Sequence, residues 1–207
     1  MSLMLKICGM REQVNIEEIA SIGPDYMGFI FYDKSPRFIA GPQDLRFPED
    51  VKKVGVFVNA EIGEIKDKVA SIGLDAVQLH GDESAEYVKN LSVEIPRVEI
   101  IKAFGISESK DFEVCSEYEG RASYFLFDNK SKGYGGTGVK FNWDTLESYS
   151  GATPFFISGG IGPEDVEEAL FLSHKFDKLV GIDINSGIEI EPGLKSLPKA
   201  TEVLNKL

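Results

Sequence analysis

The chain has 207 residues, 43% of them hydrophobic and 27% charged, the proportions of a soluble globular fold; 34 acidic against 22 basic residues leave a formal charge of −12. That charge argues against nucleic acid or a membrane surface as a partner, and no stretch offers the ~18 continuous apolar residues of a bilayer span. Two well-separated cysteines make no disulfide framework and suit a reducing compartment, so a cytoplasmic location is expected.

The opening residues, MSLMLKIC, lack a basic region followed by a long apolar run, which argues against a signal peptide; Met4 is an alternative start. From there, short β-branched and aromatic runs predict strands at Leu5–Ile7, Met27–Phe31, Val54–Val58, Ala76–His80, Val98–Ala103, Tyr124–Asp128, Phe155–Ser158 and Leu179–Ile184. Amphipathic stretches at 15–22, 61–73, 84–91, 164–172 and 198–207 alternate with them, with apolar residues at helical spacing. The segment 41–50 is a poor helix, because Pro48 leaves room for a turn or two at most. Eight strands alternating with helical segments imply parallel pairing. The predicted fold is therefore a single-domain, eight-stranded (β/α)₈ barrel over 1–207; a doubly wound open sheet is the alternative, and the count of eight favours closure.

On such a barrel, chemistry sits at the C-terminal ends of the strands. Cys8, His80, Asp128, Ser158 and Asp183 all fall there. Side chains alternate across a strand, so Lys6 shares a face with Cys8, Gln78 with His80, Leu126 with Asp128 and Gly181 with Asp183. If the intervening apolar residues face the helices, Cys8, His80, Asp128 and Asp183 converge on the barrel mouth. A lone cysteine is often an inert small hydrophobe, the reading adopted for Cys115 inside a helical stretch. For Cys8, the strand-end position and polar company leave both chemistry and inert packing open. Asp128 has a bland reading as a loop cap, and His80 as an orienting or satisfied histidine. Lys6 either balances Asp128 or Asp183 or raises the thiolate fraction of Cys8.

GYGGTG (Gly133–Gly138) matches a dinucleotide fingerprint literally, but it lies beyond a strand end and no helix follows at once, so that reading is rejected. Small-residue turns also follow later strands: SGG at Ser158–Gly160 and NSG at Asn185–Gly187. Glycines let backbone N–H groups approach an anion, and the loops after the seventh and eighth strands of such barrels often hold phosphate. Between the second strand and its weak helix, Arg37 in YDKSPRFIAG is either a surface charge or a bidentate carboxylate fork.

At this point KICGM, GFIFYDKSPRFI, VGVFVN, VQLHG, FDNKSKGYGGTG, FFISGGIGPEDV and GIDINSGIEIEPGLK, in order from Lys6 to Lys195, resemble the phosphoribosylanthranilate isomerase family. The resemblance implies an Amadori rearrangement of N-(5-phosphoribosyl)anthranilate to an open-chain ribulose phosphate in tryptophan biosynthesis, with Cys8 as general base and Asp128 as general acid. It implies a phosphate site built from backbone that includes Gly136, Gly138, Gly159, Gly160, Ser186 and Gly187, and an Arg37 that meets the anthranilate carboxylate. His80 and Asp183 join the substrate-binding set. Asn129 departs from the small residue usual beside the acid. On this reading one group is tuned down and the other up, with Cys8 toward thiolate and Asp128 toward the protonated form. No metal or cofactor is expected, and the only other partner is a monomer-or-weak-homodimer contact. Rival readings are the related histidine-pathway isomerase, which has an aspartate in place of Cys8; a Schiff-base aldolase using Lys6 or Lys102; and a phosphate-binding barrel without catalysis.

Overall fold

A computed structural model describes residues 3–41, 45–130 and 142–207. Eight parallel strands close into a barrel: β1 (Met4–Ile7), β2 (Tyr26–Ile30), β3 (Lys52–Phe57), β4 (Ala76–Leu79), β5 (Glu99–Ile106), β6 (Tyr124–Asn129), β7 (Phe155–Ile157) and β8 (Leu179–Ile184). The barrel closes where β1 pairs with β8, with Lys6 opposite Asp183. Each predicted strand is present, with ends moved by at most a few residues. The open-sheet alternative is excluded by that closure.

All five predicted amphipathic stretches carry helices. The described residues form five α-helices: α1 (Gln13–Ala20), α2 (Ile62–Ile72), α3 (Ala85–Glu94), α4 (Val166–Lys175) and α5 (Leu197–Lys206). Residues 45–50 form no helix, in line with Pro48. Among the described residues after β5 and after β6 are the 3₁₀ helices Ser109–Tyr118 and Trp143–Ser148. In the first, Phe112, Cys115 and Tyr118 are the buried residues, and a spacing of three lies along one side of a helix with three residues per turn. Cys115 is thus a packed apolar residue.

Strand parity sorts the interior from the outer core. Tyr26, Val54, Ala76, Ile101, Ala103, Leu126 and Phe156 fill the barrel, while Ile7, Phe29, Val77, Leu79, Phe125, Phe127 and Ile182 face the helices. Large and small residues interdigitate there: a Cβ on Gly181 would lie 2.4 Å from the Phe156 ring. The apolar filling occupies the lower barrel, so the polar interior residues Lys6, Gln78 and Asp183 are stacked toward the C-terminal mouth.

Lys102 lies on the opposite parity from Ile101 and Ala103 and does not enter the barrel. Its ammonium is 2% exposed as a residue and donates to the Gly81 carbonyl at 2.7 Å and to Glu83 Oε2 at 3.0 Å. Glu83 also accepts from the backbone N–H groups of Asn59 (2.8 Å) and Gly81 (3.0 Å), tying together the loops after β3 and β4. Removing one partner of a buried pair strands the other charge. Glu83→Ala is therefore expected to lower stability by about 3–5 kcal/mol, read as a shifted urea midpoint; a loss within the error of the midpoint would show that Lys102 finds other acceptors.

Candidate active site

Cys8 lies one residue beyond β1, but its N–H still donates to the Ile184 carbonyl at 2.8 Å, so the strand's alternation carries its side chain inward. The thiol is buried at 4% exposure. Room for it comes from Gly28 on β2, where a Cβ would stand 2.6 Å from the sulfur. Gly9 then turns the chain at φ +76°, a conformation suited to glycine, and a Cβ there would strike the Arg37 side chain at 2.6 Å.

One cavity at the C-terminal mouth is lined by Cys8, Arg37, His80, Asp128 and Asp183, and by Gly159, Gly160 and Ser186 from the loops after β7 and β8. Gly136 and Gly138 lie outside the described residues. Gly187 serves a different purpose: it does not line the cavity, and a Cβ on it would sit 2.0 Å from the Ile161 carbonyl oxygen. It lets the two phosphate-loop candidates pack against each other. Gly159 and Gly160 take left-handed φ values of +94° and +66°, which turn that backbone where the β7 strand ends.

The electrostatics follow from burial. Lys6 is fully buried and donates to Asp183 Oδ1 at 2.8 Å, with the Cys8 thiol on its other side. Burial by itself would lower its pKa, but Asp183 and Cys8 outweigh this and hold it above its ordinary value. A protonated, ion-paired amine is no Schiff-base nucleophile, and Lys102 lies outside this cavity; the aldolase reading loses both its lysines. Both roles expected of Lys6 are present: it balances Asp183, and it favours the Cys8 thiolate, though by less than burial disfavours it.

The expected lowering of the Cys8 pKa is corrected. Burial pushes the thiol up, and neighbouring Lys6 and Lys195 only partly oppose it. Asp128 behaves as anticipated: burial raises its carboxyl to about 6, against a hydrogen bond accepted from the Asn129 N–H at 2.7 Å. His80 is neutral near pH 7, since burial, then Lys102 and Lys6, lower it to about 4. Its Nε2 faces Asp128 Oδ2 at 3.6 Å, and its Nδ1 meets the Gln78 amide at 2.8 Å.

Arg37 is buried, and its guanidinium makes a bidentate pair from Nε and Nη2 with Glu189, at 2.8 and 2.6 Å. The predicted carboxylate fork exists, but one of its edges already holds a carboxylate from this chain. Gln78 and Glu189 are site residues that sequence reasoning did not single out. Parity placed Gln78 on the interior face; its Oε1 is buried without a hydrogen-bond partner among the described residues. Glu189 sits 152 positions from Arg37, beyond the reach of local pattern.

Comparison with known proteins places this geometry. A family model described as N-(5'phosphoribosyl)anthranilate (PRA) isomerase matches residues 5–206. The N-(5'-phosphoribosyl)anthranilate isomerase of Parabacteroides distasonis is 45% identical over 210 residues, covering 99% of this chain and 93% of the relative. That of Thermotoga neapolitana is 38% identical, covering 98% and 97%. Among solved structures, phosphoribosyl anthranilate isomerase from Thermotoga maritima superposes with a TM-score of 0.84 at 32% identity, covering 99% of this chain and 98% of that one. A structure of phosphoribosyl anthranilate isomerase in complex with reduced 1-(o-carboxyphenylamino)-1-deoxyribulose 5-phosphate superposes at 0.83 and 30% identity over the same shares.

The space at Gly28 is testable without any assay of activity. Gly28→Ala keeps an ordinary backbone but drives a methyl into the sulfur, so a loss of about 1–3 kcal/mol is expected. In a Cys8→Ala background the loss should shrink substantially. Equal losses in the two backgrounds, by thermal or denaturant unfolding, would show that the collision lies elsewhere.

Proposed function

This chain belongs to the N-(5'-phosphoribosyl)anthranilate isomerase family and is an isomerase of tryptophan biosynthesis, and we propose that Cys8 and Asp128 carry out its proton transfers. The observation that carries the proposal is a cavity at the barrel mouth that gathers these groups. It brings a buried thiol, a carboxyl with a raised pKa and an arginine together with the glycine turn after β7.

The rearrangement needs an acid first. Asp128, protonated, donates to the furanose ring oxygen; the C1′–O bond breaks, and the nitrogen lone pair forms the C1′=N bond of a Schiff base. Cys8, as thiolate, then takes the C2′ proton, and the electron pair of that bond forms the enolamine double bond. Reprotonation at C1′ and loss of the 2′-hydroxyl proton give the 2′-ketone. Protons and electrons balance within the substrate and the two side chains, as an isomerisation requires. The N–H groups around Gly159 and Gly160, with Ser186, hold the phosphate through dipoles rather than lysines, which suits a chain of net charge −12. Arg37 holds the anthranilate carboxylate. Gln78 Oε1 offers an acceptor to a sugar hydroxyl, and His80, uncharged, stands beside Asp128 to orient it without neutralising the carboxylate it becomes.

The pKa order has a kinetic consequence. With Asp128 at about 6 and Cys8 above an ordinary thiol, the abundant form near neutrality is carboxylate plus thiol. The reactive form, carboxyl plus thiolate, holds the same number of protons, so its share does not change with pH between the two values. Taking a thiol at roughly 8.5 as the lower bound, that share is at most on the order of one molecule in a few hundred.

Two measurements test these roles, each following the loss of substrate fluorescence without added cofactor. Cys8→Ala and Asp128→Asn should each remove nearly all of the rate while substrate still binds; wild-type rate in either variant would refute its role. The kcat/KM profile of the unaltered enzyme should fall below pH about 6 and stay flat from there toward the thiol pKa. A profile that already declines between pH 6.5 and 8 would contradict the assigned order.

A further inference from the structure

After β8 the chain leaves the barrel and forms a small antiparallel hairpin of β9 (Glu189–Glu191) and β10 (Leu194–Lys195). None of the proton-transfer steps uses it, yet its polar side chains converge on Arg37. Glu189 Oε1 accepts from Arg37 Nε at 2.8 Å, from Lys195 Nζ at 2.6 Å and from the Gly193 N–H at 3.0 Å, while Oε2 accepts from Arg37 Nη2 at 2.6 Å. Burial would raise the Glu189 pKa, but the two cations bring it down to about 2, so it remains a carboxylate. The hairpin is itself anchored. Asn15 of α1 brackets Lys195, accepting from its N–H at 2.8 Å and donating to its carbonyl at 2.9 Å.

A guanidinium has two edges that can each meet a carboxylate with paired N–H groups. Glu189 fills the Nε/Nη2 edge. The Nη1/Nη2 edge has no hydrogen-bond partner among the described residues, and Arg37 lines the cavity while Glu189 does not. Glu189 alone would cancel the Arg37 charge. Lys195, 1% exposed and bound to the same carboxylate, leaves the three groups with a net positive charge. An arginine on a rim loop would otherwise give up considerable rotamer freedom each time it met a ligand; held in advance, it gives up little.

We propose that Glu189, backed by Lys195, is a positioning residue that fixes the open edge of Arg37 toward the ring carboxylate of the substrate, and so sets the preference for a carboxylated aryl amine. This rests on the role given to Arg37 above. Gly9 completes the cradle, since any side chain there would displace Arg37.

The test compares the full chain, Glu189→Gln, Arg37→Met and the double variant on N-(5-phosphoribosyl)anthranilate and on the analogue lacking the ring carboxylate, N-(5-phosphoribosyl)aniline. Glu189→Gln should raise KM for the carboxylated substrate on the order of tenfold, with kcat held within about threefold and kcat/KM for the analogue within about threefold. The double variant should lose no more than Arg37→Met alone, because Glu189 acts through Arg37. An equal fall on both substrates, no change on either, or further loss in the double variant overturns the proposal. If Glu189→Gln does not fold, the charge-balanced double variant against Arg37→Met still decides it, on the same criterion. Wild-type enzyme that turns over both substrates equally would instead overturn the role of Arg37, and this proposal with it.

Discussion

A fully buried lysine, Lys6, is held 2.8 Å from Asp183 in the mouth of this barrel, and the chemistry of the cavity is arranged around that pair. Neither charge could stand there alone, since a stranded ammonium or carboxylate in a dry site carries a penalty of several kcal/mol. Paired across the β1–β8 seam, they sit where barrel closure itself aligns them. Cys8 follows Lys6 on the same face, so the seam that closes the fold also sets a cation beside the thiol. The same cation, after burial and Lys102, helps keep His80 uncharged.

Burial then decides the protonation states. It raises both Cys8 and Asp128, and the cations nearby moderate without reversing it. The cavity is thus built to keep a proton on the sulfur at rest and to let the carboxyl share it, rather than to hold a ready thiolate exposed to oxidants. The chain's overall negative charge is met in a similar local way. Three cations near the site are paired with carboxylates: Lys6 with Asp183, and Arg37 and Lys195 sharing Glu189. That last cluster has positive charge left over, and Arg37 carries it to the cavity where a substrate anion would arrive.

Much of this was legible in the sequence because strand parity is rigid. The eight apolar runs, the barrel, and the inward set Cys8, His80, Asp128 and Asp183 follow from a period of two and the position of each strand end. Other features were not legible. The 3₁₀ crossover at Ser109–Tyr118 shares its spacing of three with an α-helix over so short a span. The direction of the Cys8 shift depended on depth, and Lys6 two residues away suggested the opposite sign. Glu189 carries no local signal, because its partner Arg37, and Asn15 that anchors its hairpin, come from the far end of the chain. Gln78 was on the right face but carried no motif.

The most direct test of the central claim is the thiol itself. In a Cys115→Ser background only one thiol remains, and its ionisation can be followed by ultraviolet absorbance as pH rises. A midpoint above the ordinary thiol value of roughly 8.5 is predicted, moving higher when Lys6 is replaced by methionine. A midpoint below neutrality would show that the cavity stores a thiolate, and the protonation order on which the account stands would be wrong.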